Sequence, residues 1–226
     1  MASWKAALIQ MDSQNDEKEN RKKAEYYIRQ AALEGACLVV FPETADYIGP
    51  GIKDHAKELP GEWDAFFSDQ AKKYGIYLHG GSITEKNPGG NPYNTSLMFG
   101  PDGRMVGKYR KLHMFDVNVK EGPSYRESDS ICPGEEIVLT RTKLACFGLS
   151  ICYDLRFPEL YRIQSRSGAQ VLIVAANFTY ATGEMHWETL LRARAIENTC
   201  YVLACCQWGK KPAFDAYGLS MIISPS

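Results

Sequence analysis

Three side chains in this sequence stand at the ends of strand-like runs and carry complementary chemistry. Glu43 follows "LVVFP", Lys111 follows "GKYR" and Cys152 follows "FGLSI". A cysteine thiol is mostly protonated near neutral pH and needs help to act as a nucleophile. A carboxylate can take that proton and return it to a leaving amine, while an ammonium favours the thiolate and stabilises an oxyanion. Taken singly, each residue has a plainer reading. Glu43 reads equally as an exposed loop carboxylate, Lys111 as one more charge beside Lys108 and Arg110, and Cys152 as a buried small hydrophobe like Cys146. The company of Cys152 sets it apart. Asp154, Arg156 and Glu159 follow it within seven residues, and Pro158 suits the first turn of a helix. A strand that runs sharply into a helix is one way hydrolases lift a nucleophile, and the N–H after it can point into the site.

The elements that must position these groups alternate along the chain. "AALIQM" (Ala6 to Met11) reads as a buried strand, and Asn15 and Asp16 can cap a helix in which Ala24, Tyr27, Ile28 and Ala31 recur at helical spacing. Gly35 ends that helix before the uncharged strand "CLVVF". Trp63, Phe66, Phe67, Ala71 and Tyr74 mark a second amphipathic helix, stopped by Gly75 before the strand "IYLHGGSI". "NTSLMFGPDGRMVGKYRK" reads as a hairpin turning at Asp102-Gly103. "EIVLT" and "LACFGLSI" make a further pair of strands. Beyond Cys152 come a helix from about Pro158 to Ser167, the strand "VLIVAA", a helix around Trp187 to Asn198, and the strands "YVLACC" and "LSMII". "EGACLVVFPE" and "SGAQVLIVAAN" share one plan: helix end, Gly-Ala, apolar strand, polar residue. Such units imply an α/β domain with helices covering sheets, and the interspersed hairpins imply mixed sheets. No linker-like or low-complexity stretch divides the chain, so residues 1–226 read as one domain.

Composition narrows the function classes. With 45% hydrophobic and 23% charged residues and a net charge of −1, the chain has the profile of a globular protein and no concentrated basic charge for nucleic acid. The run Arg21-Lys22-Lys23 leads into a helical pattern and reads as a solvated face. "MASWKAALIQM" lacks the basic and long apolar regions of a secretory signal, and no window reaches the ~18 apolar residues of a membrane helix. Seven scattered cysteines then point to reduced thiols in the cytoplasm. Zinc fits poorly: Cys205 and Cys206 are adjacent, and no CxxC pair faces a second ligand pair.

Four blocks together carry a resemblance: "LVVFPE", "YRKLHMFD", "SICYDLRFPEL" and "HWETLLRARAIENTCYVLA". In content, order and approximate spacing they resemble the carbon–nitrogen hydrolase, or nitrilase, superfamily, over Lys5 to about Ile223. The resemblance implies a four-layer αββα sandwich with two mixed β-sheets, usually paired into a homodimer. It also implies a Glu-Lys-Cys triad of Glu43 as general base, Lys111, and Cys152 as nucleophile, with Glu127 of "YRESDS" orienting or tuning Lys111. The backbone N–H of Tyr153 would join Lys111 in holding the oxyanion. No metal and no organic cofactor is required.

Within that superfamily, Cys-Tyr-Asp followed by Leu-Arg-Phe-Pro-Glu resembles the omega-amidase and deaminated-glutathione amidase branch. Its substrates are small carboxylates bearing a linear amide. Arg156 would pair with the substrate carboxylate, which its planar fork suits, though an ion pair with Glu159 is an equal reading. Phe178 and Thr182 of "NFTYATG" match positions lining the acyl pocket. An N-carbamoyl-amino-acid hydrolase or a nitrilase is the alternative within the family, and a non-catalytic scaffold is the alternative outside enzymes. Relatives usually continue past "SMIISPS" into a further strand and tail, so the expectation is a domain without that tail. His113 and His186 are expected behind the site or in the core, with His186 also placed to line it.

Overall fold

The computed structural model describes residues 3–117 and 125–226. Two five-stranded sheets lie face to face with a pair of helices outside each. The first sheet contains β1 (Ala6–Leu8), β2 (Leu38–Val40), β3 (Tyr77–Glu85), β4 (Tyr93–Phe99) and β5 (Met105–Arg110), in that order. Its first three strands are parallel and its last two join antiparallel. Two short strands, β6 (Asp116–Val117) and β7 (Tyr125–Arg126), pair beyond it. The second sheet uses β8 (Leu139–Arg141), β9 (Cys146–Ile151), β10 (Val171–Ala176) and β11 (Tyr201–Cys206). After a hairpin of β12 (Trp208–Lys210) and β13 (Asp215–Tyr217), β14 (Met221–Ile223) completes that sheet, whose order is β14-β11-β10-β9-β8. Both sheets are mixed, as the alternation of hairpins with helix–strand units predicts.

Three apolar layers hold this stack together. Successive residues of a strand point to opposite faces. Leu38 and Val40 therefore pack between the sheets with Tyr109, Phe147, Leu149 and Ile173. Val39 points the other way, with Phe41 and Leu78, onto Ile28 of α1 (Glu17–Leu33) and Trp63 and Phe67 of α2 (Glu62–Tyr74). On the far side, Leu172, Val174 and Val202 face Tyr161 of α3 (Pro158–Arg166) and Trp187 and Leu191 of α4 (Tyr180–Asn198). A strand covered on both faces has no use for polar residues, which is why "CLVVF" and "VLIVAA" are unbroken apolar runs. Each such side chain, fully buried, contributes roughly 1.5–3 kcal/mol. The layers run helix, sheet, sheet, helix, which is the expected αββα sandwich.

Local chemistry sets the boundaries. Asp16 caps α1 by accepting the Glu19 N–H, and Gly75 ends α2 at φ 63. Tyr27 departs from expectation: its ring is on the outer side of α1, and Ala24, Ile28 and Ala31 form the buried stripe together with Asn20. α4 begins seven residues before Trp187, because Thr179 caps it and Gly183 continues it. A Cβ on Gly183 would sit 2.2 Å from the Tyr217 ring, so this glycine answers to packing against β13. Between Cys152 and Pro158, where the sequence shows only a boundary, a 3-10 turn spans Cys152–Arg156. Among the described residues no helix is long and apolar enough to cross a membrane.

Candidate active site

Glu43 leaves β2 through Pro42, and β3 holds the loop in place. Gly81, at φ 66 in a bulge of β3, passes so close that a Cβ there would lie 1.9 Å from the Pro42 carbonyl. That approach lets Ser82 N–H donate to the Pro42 carbonyl and Ser82 Oγ accept the Thr44 N–H, at 3.2 and 3.0 Å. The carboxylate of Glu43 is buried, with 5% exposure, and its Oε1 accepts from Asn94 Nδ2 at 2.8 Å. The exposed-loop reading of Glu43 does not hold.

Lys111 follows β5 directly, and the two-residue period of that strand separates it from its basic neighbours. Tyr109 and Lys111 turn inward, whereas Lys108 and Arg110 turn outward and share Glu85, at 2.5 and 2.7 Å from its Oε1. Only 2% of Lys111 is exposed, and its Nζ lies 3.1 Å from Glu43 Oε1 and 2.9 Å from each Glu127 oxygen. Burial alone would lower the Lys111 pKa; Glu127, Glu43 and Cys152 outweigh it and hold that pKa well above the usual lysine value.

Cys152 ends β9 with φ 49, a left-handed conformation that costs a non-glycine residue about 1–3 kcal/mol and persists only where the surroundings impose it. Its thiol is half-buried on the wall of a cavity rather than sunk in the core. Burial and the neighbouring Glu43 charge push the thiol pKa well above its usual value, against the pull of Lys111 and a backbone hydrogen bond from Asn177. The thiol thus stands beside a carboxylate placed to accept its proton and an ammonium held by two carboxylates.

These groups share one cavity of about 310 Å³. Glu43, Lys111, Cys152 and Glu127 line it, and so do Tyr153, Arg156, Phe178 and Thr182. Tyr153 packs edge-on against Phe115 and Phe157. Phe178 is buried against Trp187, with ring centroids 4.8 Å apart. Thr182 sits in the first turn of α4, its hydroxyl 2.8 Å from that of Thr179. Arg156 has no carboxylate within ion-pair distance among the described residues, so the Glu159 pairing is not formed. Its guanidinium instead lies 5.6 Å from the Tyr153 ring centre and 5.7 Å from that of Phe178, and Nη2 faces His186 Nδ1 at 3.3 Å. His186 therefore stands behind Arg156, and His113 meets Asp154 at 2.7 Å.

Three residues that the sequence reading left without a role belong to this site. Asn94 orients Glu43, Asn177 lines the cavity at the end of β10, and Asp154 is wholly buried beneath the Cys152 turn. For Asn177 a signal existed: it occupies in "VLIVAAN" the place Glu43 holds in "LVVFPE". For Asp154 the signal was its position two residues past the thiol.

Fold and sequence agree on the class. The chain belongs to the carbon-nitrogen hydrolase family, whose sequence pattern matches residues 5–226. It is similar to omega-amidase NIT2 of Homo sapiens, 39% identical over 228 aligned positions that cover 100% of this chain and 82% of the relative. Among solved structures it is similar to the C. elegans NitFhit protein, with 38% identity and a TM-score of 0.91, covering all of this chain and 57% of that longer one. Nit3 of Saccharomyces cerevisiae, a member of branch 10 of the nitrilase superfamily, superimposes with a TM-score of 0.87 at 35% identity, covering 97% of this chain and 82% of its own.

Proposed function

We propose that this protein hydrolyses the C–N bond of a small linear amide that also bears a carboxylate, in the manner of an omega-amidase. One observation carries the reading: a thiol, a buried ammonium and two carboxylates face a single cavity that also holds a guanidinium with no carboxylate partner among the described residues. Glu43 takes the Cys152 proton as sulfur attacks the amide carbon. The Lys111 ammonium and the Tyr153 N–H stabilise the tetrahedral oxyanion. Its collapse breaks the C–N bond, Glu43 delivers the proton to the departing ammonia, and a thioester remains. Water activated by the same carboxylate then releases the acid and restores the thiol. Glu127 keeps Lys111 charged and aimed, and Arg156 receives the substrate carboxylate. Phe178 and Thr182 shape the acyl pocket. No metal or organic cofactor takes part.

The proposal extends to a homodimer in the cytoplasm, with a small-molecule amide as the only partner and neither nucleic acid nor membrane. Ile163 and Ile196 stand exposed on the outer helices, at 48% and 65%, which supports a covered face there. All seven cysteines are unpaired, which suits a reducing compartment. An ammonia-release assay over a panel of amides tests the substrate class. An α-keto-acid ω-amide should turn over with the highest kcat/KM. Faster turnover of an N-carbamoyl amino acid or a simple nitrile would reassign the chain within its family, and no turnover of any would favour a scaffold.

A further inference from the structure

Asp154 lies two residues beyond Cys152 and is completely buried. Its Oδ2 accepts from the Tyr109 hydroxyl at 2.6 Å and from the Ile151 N–H at 2.8 Å. Its Oδ1 accepts from the His113 N–H at 3.1 Å and meets His113 Nδ1 at 2.7 Å. Tyr109 stands two residues before Lys111, His113 two residues after it, and Ile151 immediately before Cys152. One carboxylate thus clasps both flanks of the lysine and the backbone that presents the thiol. Among the described residues no Lys or Arg lies within 4.0 Å of it, so no simple ion pair explains its burial. A buried carboxylate is costly where an apolar side chain would pack, and it is tolerated only if its hydrogen bonds are met. Here all four donors come from the two segments that carry the reactive groups. The His113 ring is held in turn, stacked flat on Phe157 with centroids 3.6 Å apart.

We infer that Asp154 is a positioning residue that fixes the separation and aim of Lys111 and Cys152 through Tyr109, His113 and Ile151, an inference that rests on the thiol chemistry proposed above. Cys152 occupies a left-handed backbone conformation, and the bond from the Ile151 N–H to Asp154 is part of what holds it there. Through Tyr109 and His113 the same carboxylate ties the Lys111 segment to the turn that carries Cys152.

Asparagine in place of Asp154 keeps the shape and breaks the logic. Its amide presents one acceptor and one donor, so either orientation sets NH2 against the Ile151 N–H or the His113 N–H. Steady-state kinetics on an amide the wild-type protein turns over, together with the pH profile of Cys152 alkylation by iodoacetamide, test the assignment. They are measured for the wild type, Asp154→Asn, Tyr109→Phe and Cys152→Ala, with circular dichroism reporting the fold. In Asp154→Asn, kcat should fall about 100-fold, the loss a misplacement of about 1 Å produces, with KM little changed. The alkylation profile should move to higher pH as Lys111 leaves the thiol. Tyr109→Phe deletes one of four contacts and should show the same two effects at about a tenth of the size. If Asp154→Asn does not fold, Tyr109→Phe alone decides. A folded variant with wild-type kcat and a wild-type alkylation profile overturns the assignment. Undiminished turnover in Cys152→Ala overturns the underlying chemistry instead, whereas an inactive Cys152→Ala beside a wild-type-like Asp154→Asn removes the clasp alone.

Discussion

Glu127 grips Lys111 with both carboxylate oxygens, each 2.9 Å from Nζ, and Oε2 also accepts the Phe115 N–H at 2.7 Å. The lysine is therefore fixed from one side by Glu127 and from the other by Glu43, and neither carboxylate is spare. A glutamine at position 127 would have to turn an N–H toward the ammonium or toward the Phe115 N–H. Glu127→Gln should lower kcat on the order of 10²-fold, as removal of one preorganised electrostatic partner does. Steady-state kinetics check it, and KM should change little.

Lys111→Arg keeps the charge and changes its shape. The planar guanidinium is broader than an ammonium and cannot take the site between Glu43 and the two Glu127 oxygens without displacing one of them. Turnover should fall by roughly 10²–10³-fold, the usual cost of losing one oxyanion donor. Ammonia release under single-turnover conditions reads the loss directly.

Arg156 offers a charge to the cavity without a carboxylate partner among the described residues. Arg156→Met removes that charge while keeping most of the length. For amides that bear a carboxylate, KM should rise by about 10–100-fold, equivalent to one charge-assisted hydrogen bond of about 1.5–3 kcal/mol. For a neutral amide of similar size KM should stay near the wild-type value, and comparing the two substrates separates recognition from damage.

The sequence revealed the fold at the level of layers because both central strands are buried on two faces and therefore carry unbroken apolar runs. It revealed Glu43 and Cys152 because each ends such a run, and Lys111 because it stands where a strand-like run ends within the resembling block "YRKLHMFD". It did not reveal which side of β5 would be inside: Lys108, Arg110 and Lys111 look alike in sequence, and only the burial of Tyr109 between the sheets fixes the register that turns Lys111 inward. Asp154 was visible as a neighbour of Cys152, but its role was not, because its four partners come from Tyr109, His113 and Ile151, and two of those lie more than forty positions away along the chain. The hairpin of β12 and β13 was missed for a different reason. Its strands are three residues each, too short to show any period.

Acid stability has a separate handle in Glu85. Burial raises its pKa, but hydrogen bonds from Arg110, Lys108 and Thr95 outweigh burial and hold it at about 2, below the ordinary 4.5. A depressed folded-state pKa means the stabilisation is complete above the unfolded value and is lost as pH falls from 4.5 toward 2. Urea unfolding at a series of pH values should show that decline in the wild type. Glu85→Gln should show a shallower one.

The proposed reaction requires Cys152 to form a covalent acyl-enzyme, with Glu43 and Lys111 serving the sulfur. Intact-mass spectrometry of acid-quenched protein during turnover of an α-keto-acid ω-amide tests it most directly. The mass should increase by that of the acyl group, the added mass should map to the peptide containing Cys152, and Cys152→Ala should show neither the adduct nor ammonia release. Ammonia release at the wild-type rate from Cys152→Ala, or an acyl group mapped to a different residue, would rule out Cys152 as the nucleophile.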